Sequence, residues 1–564
     1  MHTTPDSFAN ATGHRPESVD VSAYEASRVF NREAICNLSL ADQLLFEWFG
    51  KGPDVEARYA CVHHAFEQYA AAQPDAIAVQ HLGNRITYGE LNHQANRLAA
   101  TLVSHGVSTG DAVALFLQRS ISMVIGILAV LKAGAAYVPQ DAGVAPQTQL
   151  RHIIDVTSAK VILTLGRLKH LVPVPDGHVC IAIDEYVDEP AADNLDIAAP
   201  LSVATDVNAD NRCFILFTSG TTGVPNGVQV THRNVSNILL TEPGSLGMRP
   251  GVKVAQMLNI GFDMAAWEIL GSLANGATLV IRGEGFAQVA REVDVIISTP
   301  SILATLDADQ CRTVKVVAVA GEPCPKPLAD KWAAFCAFHN SCGPTETTIV
   351  NTVQRYDPSA GRLTIGTPTP NNTVYILDEH RKPCAIGEVG EMWAGGDCVT
   401  AGYLHNARLT IERYAADPFL GNGRLMFRTR DLGRWTPDGE LEHLGRVDDQ
   451  VKIRGFRVEL DSVSAVLESV PSCTHAVALK LDSRNLAAFV CPRSVDTHVA
   501  RQMVAAALPY YCTPSLIVAM DAFPLTSRGK VDKRVLLNLA LERLEEQQRQ
   551  ASPVEESLLC EVRA

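Results

Sequence analysis

The sequence lacks the features of membrane and secreted proteins. Its longest uninterrupted apolar run, residues 123–131, is well short of the roughly 20 residues that a membrane-spanning helix needs. Its polar opening, MHTTPDSFAN, predicts no secretory signal peptide. None of its 14 cysteines forms a CxxC pair, the spacing typical of zinc and redox sites. We therefore expect a cytoplasmic protein with reduced cysteines and no contact with a membrane.

The sequence also lacks an excess of positive charge. Its 62 acidic and 48 basic residues give a formal net charge of −14, which argues against non-specific binding to nucleic acid. Charged residues make up only 20% and hydrophobic residues 47%, which argues against global disorder. A chain of 564 residues is too long for one ordinary domain, so we predict two or more domains.

Continuous apolar runs predict the architecture of the largest part of the chain, residues 57–447. In this part short apolar runs alternate with helical stretches, which is typical of strands that are buried on both faces. The fold class predicted is α/β: a large core with mostly parallel sheets flanked by helices, followed by a small mobile α+β subdomain. The clearest predicted strands are 111–117, 161–165, 214–217, 277–281, 293–298 and 314–321.

Three other segments differ from this core in residue composition. Residues 1–56 form an N-terminal extension, in which 38–53 predicts a helix that begins at Ser39 or Asp42 and ends at Gly50. Residues 448–545 form the small subdomain. Residues 546–564 are predicted to be a charged linker.

The loop FTSGTTGVPNG, residues 217–227, follows a predicted strand and is rich in glycine, serine and threonine. Backbone N–H groups and hydroxyls in such a turn can converge on a phosphate. The loop is not a Walker A motif, because it lacks GxxxxGK[ST] and carries the uncharged Asn226. Taken alone, it is either a phosphate loop or a structural turn.

Nine further motifs stand with this loop along the chain. The motifs are ITYGEL (86–91), LKAGAAYVPQD (131–141), FDMAAWE (262–268), NSCGPTETT (340–348), GEVGEMWAGGDCVTAGYL (387–404), FRTRDL (427–432), GRVDDQVKIRGFRVEL (445–460), LPYYCTP (508–514) and PLTSRGKVDKR (524–534). Their order resembles that of the adenylate-forming enzymes. The long motif GRVDDQVKIRGFRVEL, together with LKAGAAYVP, resembles specifically the adenylation domains of non-ribosomal peptide synthetases. The resemblance covers about residues 57–540.

The resemblance implies a two-step reaction with ATP and Mg²⁺. A carboxylate attacks the α-phosphorus of ATP to give an acyl-adenylate and pyrophosphate, and a 4′-phosphopantetheine thiol on a partner carrier domain then takes the acyl group. It assigns catalytic roles to Lys530, Thr345 and the Mg²⁺ ligand Glu346, and a hinge to Asp448. Rotation about this hinge is expected to withdraw Lys530 and to bring 449–457 toward the thiol's entry route. The resemblance also places ATP or AMP against Thr218, Ser219, Gly220, Thr221, Thr222, Gly223, Gly321, Glu322, Pro323, Asn340, Ser341, Cys342, Asp431 and Arg446.

Four residues depart from the family pattern. Asn226 replaces the usual lysine of the phosphate loop, and Cys342 replaces a tyrosine near the adenine. Arg430 stands in place of a glycine and Ala401 in place of an arginine. We expect weaker or differently supported ATP binding, in which Arg430 could restore a positive charge near the nucleotide.

The first residue of the substrate pocket that the resemblance implies is Asp263. In members of the family that activate amino acids, an aspartate at this position pairs with the substrate ammonium. Its presence predicts an L-α-amino acid. The other aligned positions predict an apolar pocket with depth, which favours tryptophan first and phenylalanine or tyrosine next. These positions are Met264, Trp267, Ser298, Ala318, Ala320, Ser341, Ile349 and Val350, with Lys530 as the partner of the substrate carboxylate.

Two alternatives stay open: an acyl- or aryl-CoA ligase of the same superfamily, and a catalytically weakened domain that only binds nucleotide. The carrier partner is expected downstream, because the GGxS motif of a carrier is missing and the tail 552–564 resembles the first helix of one. With no condensation domain before Met1, the chain resembles an initiating or stand-alone module, and an excised domain of this kind is expected to be monomeric.

Overall fold

The computed structural model describes residues 30–188, 206–218, 224–525 and 531–546. Strands β1–β20 and helices α1–α13 precede the predicted hinge. The strands are β1 (Ile77–His81), β2 (Asn84–Thr87), β3 (Ala112–Phe116), β4 (Ala136–Gln140), β5 (Val161–Thr164), β6 (Val179–Ala182), β7 (Arg212–Thr218), β8 (Asn226–Thr231), β9 (Lys253–Gln256), β10 (Thr278–Ile281), β11 (Val295–Ser298), β12 (Val316–Val319), β13 (Ala337–Cys342), β14 (Thr352–Tyr356), β15 (Thr367–Pro368), β16 (Asn372–Leu377), β17 (Gly390–Gly396), β18 (Tyr414–Ala416), β19 (Leu425–Trp435) and β20 (Leu441–Arg446). The helices are α1 (Arg32–Ile35), α2 (Leu40–Gly50), α3 (Val62–Ala72), α4 (Tyr88–Ser104), α5 (Ile121–Lys132), α6 (Gln147–Thr157), α7 (Ile183–Asp188), α8 (His232–Leu239), α9 (Asp263–Ala274), α10 (Phe286–Ala290), α11 (Pro300–Leu303), α12 (Lys326–Ala333) and α13 (Ala407–Arg413).

Two mostly parallel sheets form the large core, as the sequence predicts. Within the described residues, one sheet has the order β15-β14-β13-β12-β11-β9-β10-β1-β2 and the other β6-β5-β3-β4-β7-β8. Antiparallel pairing is confined to the edges, where β2, β8, β14 and β15 lie. All six predicted strands are present, and the apolar run 123–131 lies in the buried helix α5. The predicted fold class is confirmed.

The N-terminal extension packs on an antiparallel sheet at the end of the core. In that sheet β16, β17, β19 and β18 are neighbours and β20 pairs with β19. Ser39 caps α2 by accepting a hydrogen bond from the backbone N–H of Asp42, and the helix ends at Gly50, as predicted. Phe46 of this helix lies in one apolar cluster with Tyr375 and Phe419 of the core. The part of the extension before residue 30 lies outside the described residues.

The small subdomain has its own core. Its elements are β21 (Gln450–Ile453), β22 (Phe456–Glu459), α14 (Leu460–Glu468), β23 (His475–Lys480), β24 (Leu486–Cys491), α15 (Thr497–Ala507) and β25 (Leu516–Ala519), followed by helical residues at 533–546. Strands β21 and β22 form a hairpin, and β23, β24 and β25 form a separate sheet. The predicted hinge residue Asp448 lies between β20 and β21. Lys530 and the predicted linker from residue 547 lie outside the described residues. Across the described ranges, every helix is too short or too polar to cross a membrane.

Three histidines of α3 and α8 pack together, and two of them, His63 and His232, are buried. The rings of His63 and His232 lie 5.2 Å apart, and His64 packs 4.3 Å from His63. Neither ring nitrogen of His232 has a hydrogen-bond partner among the described residues. Burial, reinforced by the charge of His64, lowers the pKa of His232 to about 3. Burial also lowers the pKa of His63, to which His232, His64 and Lys132 contribute.

The histidine cluster predicts a loss of stability in mild acid. A histidine whose pKa is depressed on folding is protonated first in the unfolded chain, so its contribution is complete above pH 6.5 and falls as the pH drops from about 6.5 toward 3. We expect His232→Leu to reduce the slope of unfolding free energy against pH in this window by about 1.4 kcal/mol per pH unit. Urea unfolding at several pH values measures the slope. The exposed His105→Leu is the control, and an unchanged slope in His232→Leu would contradict the assignment.

Candidate active site

A cavity of about 410 Å³ lies where the carboxyl ends of the two large sheets face each other. Thr218 ends β7, and Thr299 and Ala320 directly follow β11 and β12; all three line the cavity. Ligands in open parallel sheets bind at these ends. The hairpin β21–β22 and Tyr511 line it from the small subdomain. Residues of the segment 449–457 therefore line the cavity in this structure, while the rotation about Asp448 stays a prediction.

Asp263 lines this cavity at the first turn of α9. Its Oδ1 accepts a hydrogen bond of 2.8 Å from the backbone N–H of Met264, which fixes the carboxyl group. Burial raises the pKa of Asp263, while a hydrogen bond with Thr345 and the charge of Lys452 oppose that rise. The arrangement offers a partly buried acceptor beside the cavity, suited to a cationic group on a ligand.

The structure divides the other predicted pocket residues into two groups. Met264, Ala320 and Ile349 line the cavity. The second group is buried and lies outside the cavity lining; for example, the indole N–H of Trp267 donates to the carbonyl of Gly244 at 2.6 Å. This group consists of Trp267, Ser298, Ala318, Ser341 and Val350.

The cavity is lined by more charged residues than the apolar pocket predicted from the sequence. Arg119 and Arg282 both donate to the carbonyl of Met257, at 2.9 and 3.0 Å. Asp141 accepts from the amide of Asn259 at 3.2 Å and also lines the cavity. Burial and the charge of Arg119 lower the pKa of Arg282 to about 10. These side chains follow β3, β4 and β10 closely, so polar residues just after the predicted strands could have revealed them.

Glu268 is another residue of the site that the sequence motifs did not predict. This fully buried carboxylate accepts from the backbone N–H of Met257 at 2.7 Å and of Leu258 at 3.1 Å. The side chain of Gln256 donates to it at 3.1 Å. Burial raises the pKa of Glu268 to about 8, although these hydrogen bonds oppose the rise. Glu268 therefore holds the cavity-lining loop after β9. The available signal was an acidic residue in the middle of the apolar helix DMAAWEILGSLA, beyond its first turn.

Only some of the predicted nucleotide and catalytic residues line the cavity. Thr218, Gly321 and Thr345 line it, and Gly321 has a φ of +86°, which favours glycine. Asn340 and Ser341 are buried in β13, which Cys342 ends. Glu322 accepts from the backbone N–H of Ser301 at 3.0 Å, and Pro323 is exposed. Residues 219–223 of the predicted phosphate loop lie outside the described residues.

Asp431, Arg446 and Asp448 form a connected network at the predicted hinge. The guanidinium of Arg446 donates to Asp431 at 2.6 Å and to the two carboxylate oxygens of Asp448 at 2.8 and 3.0 Å. Burial opposes ionisation of Asp431, but His443 and Arg446 outweigh it, and the pKa of Asp431 lies below its ordinary value. Asp431 is therefore held as an anion next to the predicted hinge.

Two of the departures from the family pattern have local partners. Asn226 accepts a hydrogen bond of 2.9 Å from the side chain of Asn406. Arg430 has a φ of +64°, a conformation that favours glycine, and its guanidinium pairs with Glu412 at 2.5 Å and Asp448 at 3.6 Å. The positive charge of Arg430 is thus paired with Glu412 and Asp448 next to the predicted hinge.

Glu346, the predicted Mg²⁺ ligand, is fully buried in the 3₁₀ turn Thr345–Thr347. Arg457 of β22 lies 3.1 and 3.2 Å from its two oxygens, and the hydroxyl of Tyr403 donates to it at 2.6 Å. Burial opposes its ionisation, but Arg457, Arg413 and Tyr403 prevail and lower the pKa of Glu346 to about 2. Across the described ranges, no cluster of three or more His, Cys, Asp or Glu residues could hold a metal ion. In this arrangement the residues at Glu346 do not fit Mg²⁺.

Comparison with known proteins identifies the family. The family model described as AMP-binding enzyme matches residues 66–404, which is more than half of the chain. The chain belongs to this family of AMP-binding enzymes. It is an adenylation domain of an ATP-dependent adenylate-forming enzyme, as the motifs predict. Membership of this family implies binding of ATP or AMP.

Similar proteins fall into two groups. An adenylate-forming reductase of Coprinopsis cinerea, number 03009, is 46% identical over 521 residues, covering 91% of this chain and 50% of the reductase. Gramicidin S synthase 1 of Brevibacillus brevis is 33% identical, covering 84% of this chain and 44% of the synthase. The chain thus spans about half the length of these AMP-binding relatives.

Solved structures support the same fold. A structure of a non-ribosomal peptide synthetase protein with adenylation and carrier (PCP) domains, bound to a vinylsulfonamide inhibitor, matches with a TM-score of 0.75 and 25% identity. The match covers 86% of this chain and 84% of that one. An artificially fused adenylation–PCP protein from Klebsiella oxytoca matches with a TM-score of 0.72 and 25% identity, over 81% and 93% of the two chains.

Proposed function

We propose that this domain activates the carboxylate of an L-α-amino acid with ATP and transfers the aminoacyl group from the adenylate to the phosphopantetheine thiol of a carrier domain. The observation that carries the proposal is Asp263, a partly buried carboxylate fixed at the cavity by the N–H of Met264. A buried ammonium needs such a partner. The solved relatives that combine adenylation and carrier domains support a carrier as the acceptor.

Aromatic amino acids are the favoured substrates, with tryptophan first and phenylalanine or tyrosine next. Met264, Ile349 and the small Ala320 line the cavity, and Phe262 and Phe286 add aromatic surface. The volume of about 410 Å³ lies within the roughly 300–1,000 Å³ of ligand pockets. Arg119, Asp141 and Arg282 give the same cavity polar groups, and these could also serve a hydrogen-bonding side chain.

Amino-acid-dependent exchange of pyrophosphate into ATP tests this function. We expect exchange above background with an aromatic L-amino acid in a panel of all twenty. Exchange with a small or charged amino acid would keep amino-acid activation and overturn the aromatic preference. Thioester formation with free CoA and a carboxylic acid lacking an α-amino group would favour the acyl- or aryl-CoA ligase. ATP binding without any adenylate would favour a domain that only binds nucleotide.

A second fate of the acyl group is favoured by the identity to two reductases. Two adenylate-forming reductases of Coprinopsis cinerea are 46% and 45% identical to this chain over nearly all of its length. We propose reduction of the bound acyl thioester as the alternative to peptide-bond formation. Aldehyde or alcohol released by the full-length protein with a reduced nicotinamide cofactor would distinguish the two fates.

A further inference from the structure

Two arginines from different sheets meet at one end of the cavity. Arg119 lies shortly after β3 of one large sheet, and Arg282 directly follows β10 of the other. Both line the cavity, and both donate to the carbonyl of Met257, at 2.9 and 3.0 Å. A neutral carbonyl does not balance two positive charges. The charge at this end of the cavity thus depends on the carboxylates nearby.

The nearby carboxylates, Asp141 and Glu268, are engaged by neutral donors. Asp141 accepts from a backbone N–H at 2.9 Å and from the side chain of Asn259 at 3.2 Å. Glu268 accepts from backbone and amide N–H groups, and burial raises its pKa to about 8, so that it carries little negative charge near neutral pH. Among the described residues, neither Arg119 nor Arg282 forms an ion pair with a carboxylate. The two guanidinium groups therefore leave an excess of positive charge at this end of the cavity.

Both guanidinium groups also keep N–H donors for a ligand. The Nε of Arg119 is buried and has no hydrogen-bond partner in the described part of the chain. Arg282 uses its Nε and Nη1 for three backbone carbonyls, which leaves its Nη2 for a ligand. Its guanidinium lies 4.5 Å from the ring centroid of Phe286, which fixes its orientation. A buried donor without a partner is costly, so a ligand that accepts from it is stabilised.

The charged end of the cavity differs from the surroundings of Asp263. Burial lowers the pKa of Arg119, and the charges of Glu268 and Asp141 oppose that change. Burial raises the pKa of Asp263, and the cation that opposes this rise is Lys452. The two groups thus respond to different neighbours. An ammonium beside Asp263 and an anion beside Arg119 can therefore be bound at the same time.

We propose that Arg119 and Arg282 form an anion-binding subsite of the cavity, which takes a carboxylate or phosphate group. The subsite goes beyond the proposed function, because it serves neither the α-carboxylate of the amino acid nor the phosphates of ATP. Guanidinium groups suit both anions, since their planar N–H donors match pairs of oxygens. The anion can come from two sources: a free ion such as inorganic phosphate, or the phosphate of the phosphopantetheine arm. The second source rests on the proposed transfer to a carrier.

Calorimetric titration of the whole chain tests the subsite without any amino acid. The protein is first saturated with α,β-methylene-ATP, which fills the positions of the nucleotide phosphates, and is then titrated separately with inorganic phosphate, 4′-phosphopantetheine and pantetheine. We expect Arg119→Gln and Arg282→Gln each to weaken anion binding by about 10- to 150-fold, the range for one hydrogen bond to a charged group. Phosphate that binds as tightly as phosphopantetheine indicates a free ion. Phosphopantetheine that binds more tightly than both other probes indicates the arm.

Three further variants separate the charge of the subsite from damage to the fold. Arg249→Gln is the matched control, because this exposed arginine also donates to a carbonyl, that of Gly247 at 2.9 Å, and lies outside the cavity lining. It should bind the anion as the wild type does. Arg282→Lys keeps the charge and should retain more affinity than glutamine at this position. Asp141→Asn removes a negative charge from the same end and should tighten anion binding, whereas damage to the fold would weaken it.

Three results would each disprove the subsite: no binding of phosphate or phosphopantetheine to the wild type, unchanged anion binding in both glutamine variants, or weaker binding in Asp141→Asn. Failure of amino-acid-dependent exchange would overturn only the proposed substrate, because the titrations contain no amino acid. Failure of transfer to a carrier would remove only the phosphopantetheine arm as the source of the anion.

Discussion

Replacing Asp263 by alanine is expected to raise the KM for the amino acid by about 30-fold to several thousand-fold, because removing one member of a buried charge pair costs about 2–5 kcal/mol. The carboxylate lines the cavity and is fixed by Met264, so a substrate ammonium beside it would lose its only predicted anionic partner. Pyrophosphate exchange with the best amino acid, measured over a range of concentrations, gives the change in KM. ATP binding should be unaffected.

This prediction has two controls: a variant of another carboxylate in the cavity, and a substrate analogue without the ammonium group. Asp141→Asn removes another negative charge from the same cavity, and Asn can still accept from the N–H of Gly143. The wild type and Asp141→Asn should prefer phenylalanine over 3-phenylpropanoate, which lacks the ammonium. Asp263→Ala should lose most of that preference. If Asp263→Ala weakens both acids equally, Asp263 does not bind the ammonium.

Replacing Glu268 by alanine is expected to lower the free energy of unfolding by about 2–6 kcal/mol, because its fully buried side chain accepts hydrogen bonds from two backbone N–H groups. The backbone N–H groups of Met257 and Leu258 would both lose their acceptor, and buried unsatisfied donors cost about 1–3 kcal/mol each. Urea unfolding measures the loss. Because these two residues line the cavity, the KM for the substrate should rise as well.

The substitution Glu268→Gln removes the ionisable carboxyl group and keeps a hydrogen-bond acceptor of nearly the same shape. Glutamine keeps one oxygen to accept from the backbone, so we expect it to recover at least half of the lost stability. Glu242→Ala, which removes an exposed glutamate, should stay within about 0.5 kcal/mol of the wild type. A loss below 1 kcal/mol in Glu268→Ala would show that the loop after β9 does not depend on this carboxylate.

Several elements could be predicted because their cause is local. The apolar runs 161–165 and 293–298 are strands because no polar face interrupts them, which is what burial on both faces requires. Ser39 and Gly50 bound their helix because capping involves only neighbouring residues. The position of Asp263 at the cavity followed from its motif, as did those of Thr345 and Gly321.

Other features depend on the direction of a side chain within its element. Trp267 lies one helical turn after Asp263, yet its indole points into the core toward Gly244. Ala318 and Ala320 are two residues apart, but only Ala320, which lies just beyond the carboxyl end of β12, lines the cavity. Motif spacing alone does not reveal which way such residues point, because burial against distant elements decides it.

The sequence by itself determined the α/β class, the order of the strands along the chain and membership in the adenylate-forming enzymes, since these follow from local burial patterns and from motifs. Only the tertiary structure decided that Arg119 and Arg282 both donate to the carbonyl of Met257. It also decided that Arg457 forms an ion pair with Glu346, 111 residues away in the chain. Contacts of this kind join separate elements or separate subdomains. They depend on how the sheets and the small subdomain pack, which no local pattern specifies.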